Sequence, residues 1–158
     1  MNTADLLLLL KESLFLVVTF SVFILYAMSK GRYALINVIF ALYLALLISI
    51  KFPYYAILTS GGESGAIGKI LIFISFFTVG ILLFRRHIPG DDYEPAFHGL
   101  GKKILLAGMA TVLVMIFSFH ALPVTEIITP GSPIQSLFAP QENFFWWLIL
   151  PLVALFFV

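Results

Sequence analysis

The residues best equipped for chemistry lie in one stretch, Arg85 to Lys103. It opens Arg-Arg-His-Ile-Pro-Gly-Asp-Asp-Tyr-Glu-Pro and closes Phe97-His98-Gly99-Leu100-Gly101-Lys-Lys. Asp91, Asp92, Glu94, His87 and His98 supply the oxygen and nitrogen donors from which a divalent-cation site, and with it a lipid-modifying chemistry, could be built. Their spacing argues against it. A prenyl-diphosphate site needs an acid four positions after the first aspartate, and Pro95 stands there. The stretch reads instead as a solvated loop whose acids balance the flanking Arg and Lys, with basic flanks within reach of anionic lipid heads.

A second glycine-bearing stretch, Gly61-Gly62-Glu63-Ser64-Gly65, invites comparison with a phosphate-binding loop. Gly68-Lys69 lacks the glycine five positions earlier and is followed by Ile70 where that loop has Ser or Thr. A flexible turn is expected. The chain has no cysteine, which excludes disulfides, thiolate catalysis and zinc–sulfur sites. No catalytic, cofactor-binding or metal-ligating residue is assigned, and no cofactor is called for.

The elements around these loops set the class. The chain of 158 residues is 61% hydrophobic and 11% charged, with mean hydropathy +1.09. A soluble domain of this size cannot hide so much apolar surface. The net charge of +1 gives no basic surface for nucleic acid. The start, Met1-Asn2-Thr3-Ala4-Asp5, has no positive n-region, so the first apolar segment is expected to remain in the mature protein. Asn2 and the lack of cysteine give no site for myristoyl or prenyl anchors.

A spanning helix needs roughly 20 apolar residues. Four stretches qualify: from Leu6 or Ser13 to Met28, Tyr33 to Ile50, Ile67 to Phe84, and Ile104 to Leu122. A fifth, Phe144 to Val158, is short unless Pro140 begins it; a helix from Pro140 to Val158 measures roughly 28 Å. Pro151 loosens it. The alternatives are a fifth span and a re-entrant or interfacial segment, and the span is favoured because backbone groups in lipid need internal partners. The expected fold is therefore all-α: a polytopic transmembrane helical bundle over residues 1–158, a single integral membrane domain of four spans and a fifth C-terminal one.

Five spans put Lys30, Arg32, Arg85, Arg86, Lys102 and Lys103 on one side, and Lys11, Lys51 and Lys69 on the other. The connection from Pro123 to Asn143 has no Lys or Arg. The basic side should be cytoplasmic, with the N-terminus out and the C-terminus in, as for a multi-pass protein of a cell membrane. Tyr54, Tyr55, Trp146 and Trp147 then form an outer interfacial belt. Lys30-Gly31-Arg32 is a tight turn that makes the first two helices a hairpin. Ser132-Pro133-Ile134-Gln135 has the form of a capping box, so a short helix should lay Ile134, Leu137 and Phe138 on the bilayer, on the other helices, or under a partner.

No acid or base lies at the centre of any span, which argues against proton-coupled pumps and intramembrane hydrolases. Asn37 and His120, each about a turn inside a helix end, read as interhelical or interfacial hydrogen bonders. Ser21, Ser75, Thr78 and Thr111 can return their hydroxyls to their own helices. Ala41, Ala45 and Ser49 form a small-xxx-small face, and Ala107 with Thr111 a shorter one. Packing within the monomer is the favoured use of these faces; a homo-oligomer contact is the other.

The layout resembles the colicin V production protein (CvpA-like) family of small bacterial inner-membrane proteins. Asp5, the Lys30-Gly31-Arg32 turn and Gly99-Leu100-Gly101-Lys102 occupy places comparable to the family's early aspartate, tight basic turn and glycine-bearing loop, over about residues 5–120. The resemblance implies a bacterial inner-membrane location and a role in envelope physiology or secretion, and carries over no catalytic residue. The expected function is a non-enzymatic component that assembles with itself or a membrane-protein partner in the lipid bilayer. A small transporter or channel subunit, and a lipid-modifying enzyme using the Asp91–His98 loop, are the alternatives.

Overall fold

The computed structural model describes residues 3–54, 63–88, 98–120, 138 and 140–158. They form five helices: α1 Thr3–Lys30, α2 Arg32–Lys51, α3 Glu63–His87, α4 Leu100–His120 and α5 Gln141–Leu155. The stretches Ser13–Lys30, Arg32–Lys51, Ile67–His87 and Leu100–Phe119 are long and apolar enough to cross a membrane. All four long helices extend past at least one expected apolar limit because charged and small residues at their ends keep helical backbone. α1 runs on through Lys11 and Glu12, and α3 starts at Glu63. Gly65 thus lies in a helix, not in the flexible turn expected of it; one internal glycine costs a helix only about 1 kcal/mol.

Between α1 and α2 only Gly31 is non-helical. Its φ of 80° is left-handed, a conformation that strains residues with a Cβ. Its N–H still donates to Ala27 O at 2.9 Å, so α1 closes normally before the chain reverses. The hairpin follows directly from that one residue.

α2 lies along α3 and touches α1 and α4; α4 also packs on α1 and α5. The inner pair is therefore α2 and α4. Leu35, Ile39, Leu42 and Leu46 of α2, with Leu106, Leu113, Ile116 and Phe117 of α4, form the core. Leu14, Val18, Val22 and Leu25 of α1, and Leu71, Ile74 and Leu82 of α3, point outward and are exposed. Such stripes are costly in water and natural in lipid. The chain is a membrane-embedded helical bundle.

α5 has 15 residues, roughly 22 Å of helix, which alone falls short of a hydrocarbon core of about 30 Å. It begins one residue later than expected, because Pro140 takes an extended ψ of 126° outside the helix. It also stops at Leu155. Phe156 and Phe157 then tighten the end by donating to Val153 O and Ala154 O at 3.0 and 3.1 Å. Two ties fix its depth. The Tyr43 hydroxyl donates to Leu148 O. Arg32 Nη1 donates to Val158 O at 3.3 Å. From Arg32 to Tyr43, α2 climbs roughly 16 Å, close to the rise from Val158 to Leu148. α5 therefore runs antiparallel to α2, packed on α4 and tied to α2 by these two side chains. Pro151 has no N–H to offer Trp147 O, which loosens the helix where Tyr43 reaches the next carbonyl.

Candidate functional site at the basic end of the bundle

α1 and α3 end, and α2 and α4 begin, at the same end of the bundle. That topology gathers Lys30, Arg32, Arg85, Arg86, Lys102 and Lys103 there. Lys102 Nζ donates to Val158 O at 2.9 Å, the same oxygen that Arg32 reaches. Two cations thus meet on Val158 O, three residues beyond the last helical residue of α5. Arg32 Nη2 also donates to the Tyr33 hydroxyl at 3.3 Å, and its guanidinium carbon lies 5.0 Å from the Tyr33 ring centroid. These contacts hold the arginine half-buried against α2.

Lys103 is 0% exposed. Sequence reasoning placed it among the cations of the connection and missed this burial. The signal was present: Lys103, Leu106, Ala107, Ala110 and Leu113 recur at helical three- and four-residue spacing, and all are buried. The lysine stem continues the apolar stripe with which α4 enters the core.

Asn37 bridges helices, as expected of it. Its Nδ2 donates to Ile88 O at 3.2 Å, which fixes the end of α3 to α2. Its Oδ1 is buried and makes no hydrogen bond, an arrangement that costs about 1–3 kcal/mol. The other buried polar side chains turn inward on their own helices. Ser49 donates to Leu46 O at 2.9 Å, Thr111 to Ala107 O at 2.8 Å and Ser118 to Val114 O at 2.7 Å. Among the described residues, Asn37 and Lys103 are buried near the basic end, and midway along the bundle the buried core is apolar except for Thr111, while the half-buried Tyr43 hydroxyl reaches Leu148 O.

Ala41, Ala45, Ser49, Ala107 and Thr111 are all buried within one chain. At Ala41 the reason is visible: Gly80 of α3 comes so close that a Cβ added there would lie 3.1 Å from Ala41 Cβ. The small residues let α2 and α3 touch nearly backbone to backbone. Of the expected interfacial belt, Tyr54 is exposed and Trp146 is 69% exposed. Trp147 turns inward, its ring 4.9 Å from that of Phe138. Phe138, expected on the bilayer, on other helices or under a partner, packs on other helices and is 5% exposed. It is covered within the chain, so it offers no free partner surface. Tyr55, Ile134 and Leu137 lie outside the described residues, as do Asp91, Asp92 and Glu94 and the His120 side chain. Among the described residues no group of three His, Asp or Glu is placed to hold a metal. His87 Nδ1 lies 2.9 Å from Leu83 O on its own helix.

The bundle and its basic end define a polytopic α-helical membrane protein. No protein-family model matches the chain, and neither does any curated protein or solved structure.

Proposed function

We propose that the protein is a non-enzymatic, multi-pass component of the bacterial inner membrane that works by assembling with itself or with a membrane-protein partner. The observation that carries this reading is the apolar middle of the core. Thr111, midway along α4, spends its hydroxyl on its own helix, and Leu42, Ala45, Ala110 and Leu113 are buried and apolar, which leaves the centre as packing surface. An envelope or secretion role rests on the resemblance at Asp5, Lys30-Gly31-Arg32 and Gly99-Leu100-Gly101-Lys102. Pull-down of the tagged protein from its native membrane in mild detergent, read by mass spectrometry and a size measurement, tests the assembly. A stoichiometric partner or a defined homo-oligomer is expected; a monomer with no companion argues against it.

One observation favours a second reading, a small transporter or channel subunit. Lys103 and Asn37 place buried polar groups at the basic end. Solute flux in proteoliposomes, compared with empty vesicles, separates the two readings.

The proposed orientation places the basic end in the cytoplasm and the Pro123–Asn143 connection outside. The chain has no native cysteine, so Ser132→Cys creates a unique thiol. An impermeant maleimide should label it in intact cells. Labelling that appears only after lysis reverses the topology.

A further inference from the structure

The cations of the basic end divide into two groups. Arg32 and Lys102 are engaged inside the bundle, on Val158 O, and Lys103 is buried. Arg85 and Arg86 differ. Both are exposed on the last turn of α3, and neither guanidinium has a hydrogen bond or ion pair with any other described residue. Their positions are fixed all the same. The Asn37 amide grips Ile88 O just beyond them, and Ile88 N–H closes on Phe84 O at 2.7 Å, so this helix end is clamped to α2.

Below the arginines runs an apolar stripe. Leu71, Ile74, Thr78, Leu82 and Arg85 recur at three- and four-residue spacing, and Val79, Leu82 and Arg86 form a second row beside it. Leu71, Ile74, Val79 and Leu82 are all exposed. Thr78 donates its hydroxyl to Ile74 O at 2.8 Å, so its methyl keeps the stripe apolar. We infer that this face of α3 holds an anionic phospholipid, its acyl chain on the Leu71–Leu82 stripe and its headgroup phosphate on Arg85 and Arg86. Arginine is the cation suited to this work, because its planar fork meets phosphate oxygens bidentately and is weakly hydrated. The clamp by Asn37 lowers the entropy lost when the headgroup seats.

The test is native mass spectrometry of the purified chain in detergent supplied with equal phosphatidylglycerol and phosphatidylcholine. Phosphatidylglycerol adducts should dominate for the native chain. In Arg85→Gln/Arg86→Gln that preference should fall by roughly an order of magnitude, given the usual contribution of a basic residue at an anionic surface. Lys51→Gln, at the opposite end of the bundle, should leave the preference unchanged and shows that overall charge is not its cause. Equal retention of the two lipids by the native chain overturns the inference. So does an undiminished preference in the double variant, which would also be the result if the acids of the Asp91–Glu94 segment occupied the arginines. Both arginines are exposed, and monodisperse elution of the variant confirms that it folds.

Discussion

Gly80→Leu will not leave α2 and α3 packed as they are. A Cβ at position 80 already lies 3.1 Å from Ala41 Cβ, 3.2 Å from its Cα and 3.4 Å from its carbonyl oxygen. Two of those three atoms are backbone and cannot rotate away. Ala41 is buried, so it has no outward direction in which to yield. A leucine adds three more carbons beyond the Cβ, and the two helices must separate to admit them. Separation also pulls on the contacts between the crossing and the basic end, the Phe40–Phe84 ring pair at 5.6 Å and the Asn37–Ile88 bond at 3.2 Å. Overpacking of a tight core costs typically 1–3 kcal/mol. Loss of these flanking contacts should bring Gly80→Leu to the upper end of that range or past it.

The substitution should abolish monodisperse elution in detergent or lower the melting temperature by several degrees. Gly80→Ala should do less, since a shift of a few tenths of an ångström relieves it. Gly80→Ala with Ala41→Gly should recover most of that loss, because the second change removes the very Cβ the first one meets. Val79→Leu, one residue away on the exposed face, should be neutral. If Gly80→Leu melted like the native chain, the α2–α3 contact would not be the close crossing described here.

Much of this bundle could be read from the sequence, because in a membrane chain hydrophobic length and basic asymmetry state the architecture directly. The four long helices lie where the apolar runs place them, and the Gly31 reversal was visible in Lys30-Gly31-Arg32. The basic residues on alternate connections do share one end. Less was legible wherever a residue's role depends on which way it faces. Lys103 looked like one more flanking cation, and only the recurrence of Leu106, Ala107 and Ala110 after it hinted at burial. Trp146 and Trp147 looked alike in sequence. They part because neighbours on a helix point about 100° apart, one toward lipid and one toward Phe138. The extent of α5 was misjudged by one residue at its start and three at its end, since no apolar pattern records where a helix yields to turns at Phe156. The partner of α2's small face was also hidden. Ala41, Ala45 and Ser49 announced a close approach, but that Gly80 answers Ala41 is a fact of the fold.

Arg32→Ala is expected to loosen α5, and the chain supplies its own reporter. Both tryptophans, Trp146 and Trp147, lie on α5. Arg32 donates to Val158 O at 3.3 Å and stacks on Tyr33, so its removal takes away a charged donor at the end of α5 and the packing of its own stem. Hydrogen bonds involving a charged group contribute about 1.5–3 kcal/mol. Lys102 still reaches the same oxygen at 2.9 Å, but it is exposed, and solvent weakens what it can hold alone. Lys102→Ala should therefore cost less than Arg32→Ala, and the double variant should cost more than the two singles together, because each cation partly covers for the other. In a Trp146→Phe background, emission comes only from Trp147, which sits against Phe138. Detachment of α5 should shift that emission and bring its thermal transition below the unfolding of the rest of the bundle. Tyr43→Phe, which removes the hydroxyl bonded to Leu148 O halfway along the helix, should lower the Trp147 transition further when combined with Arg32→Ala. A Trp147 signal that stays native in Arg32→Ala, and still melts together with the bundle, would falsify the view that the basic end holds α5 in place.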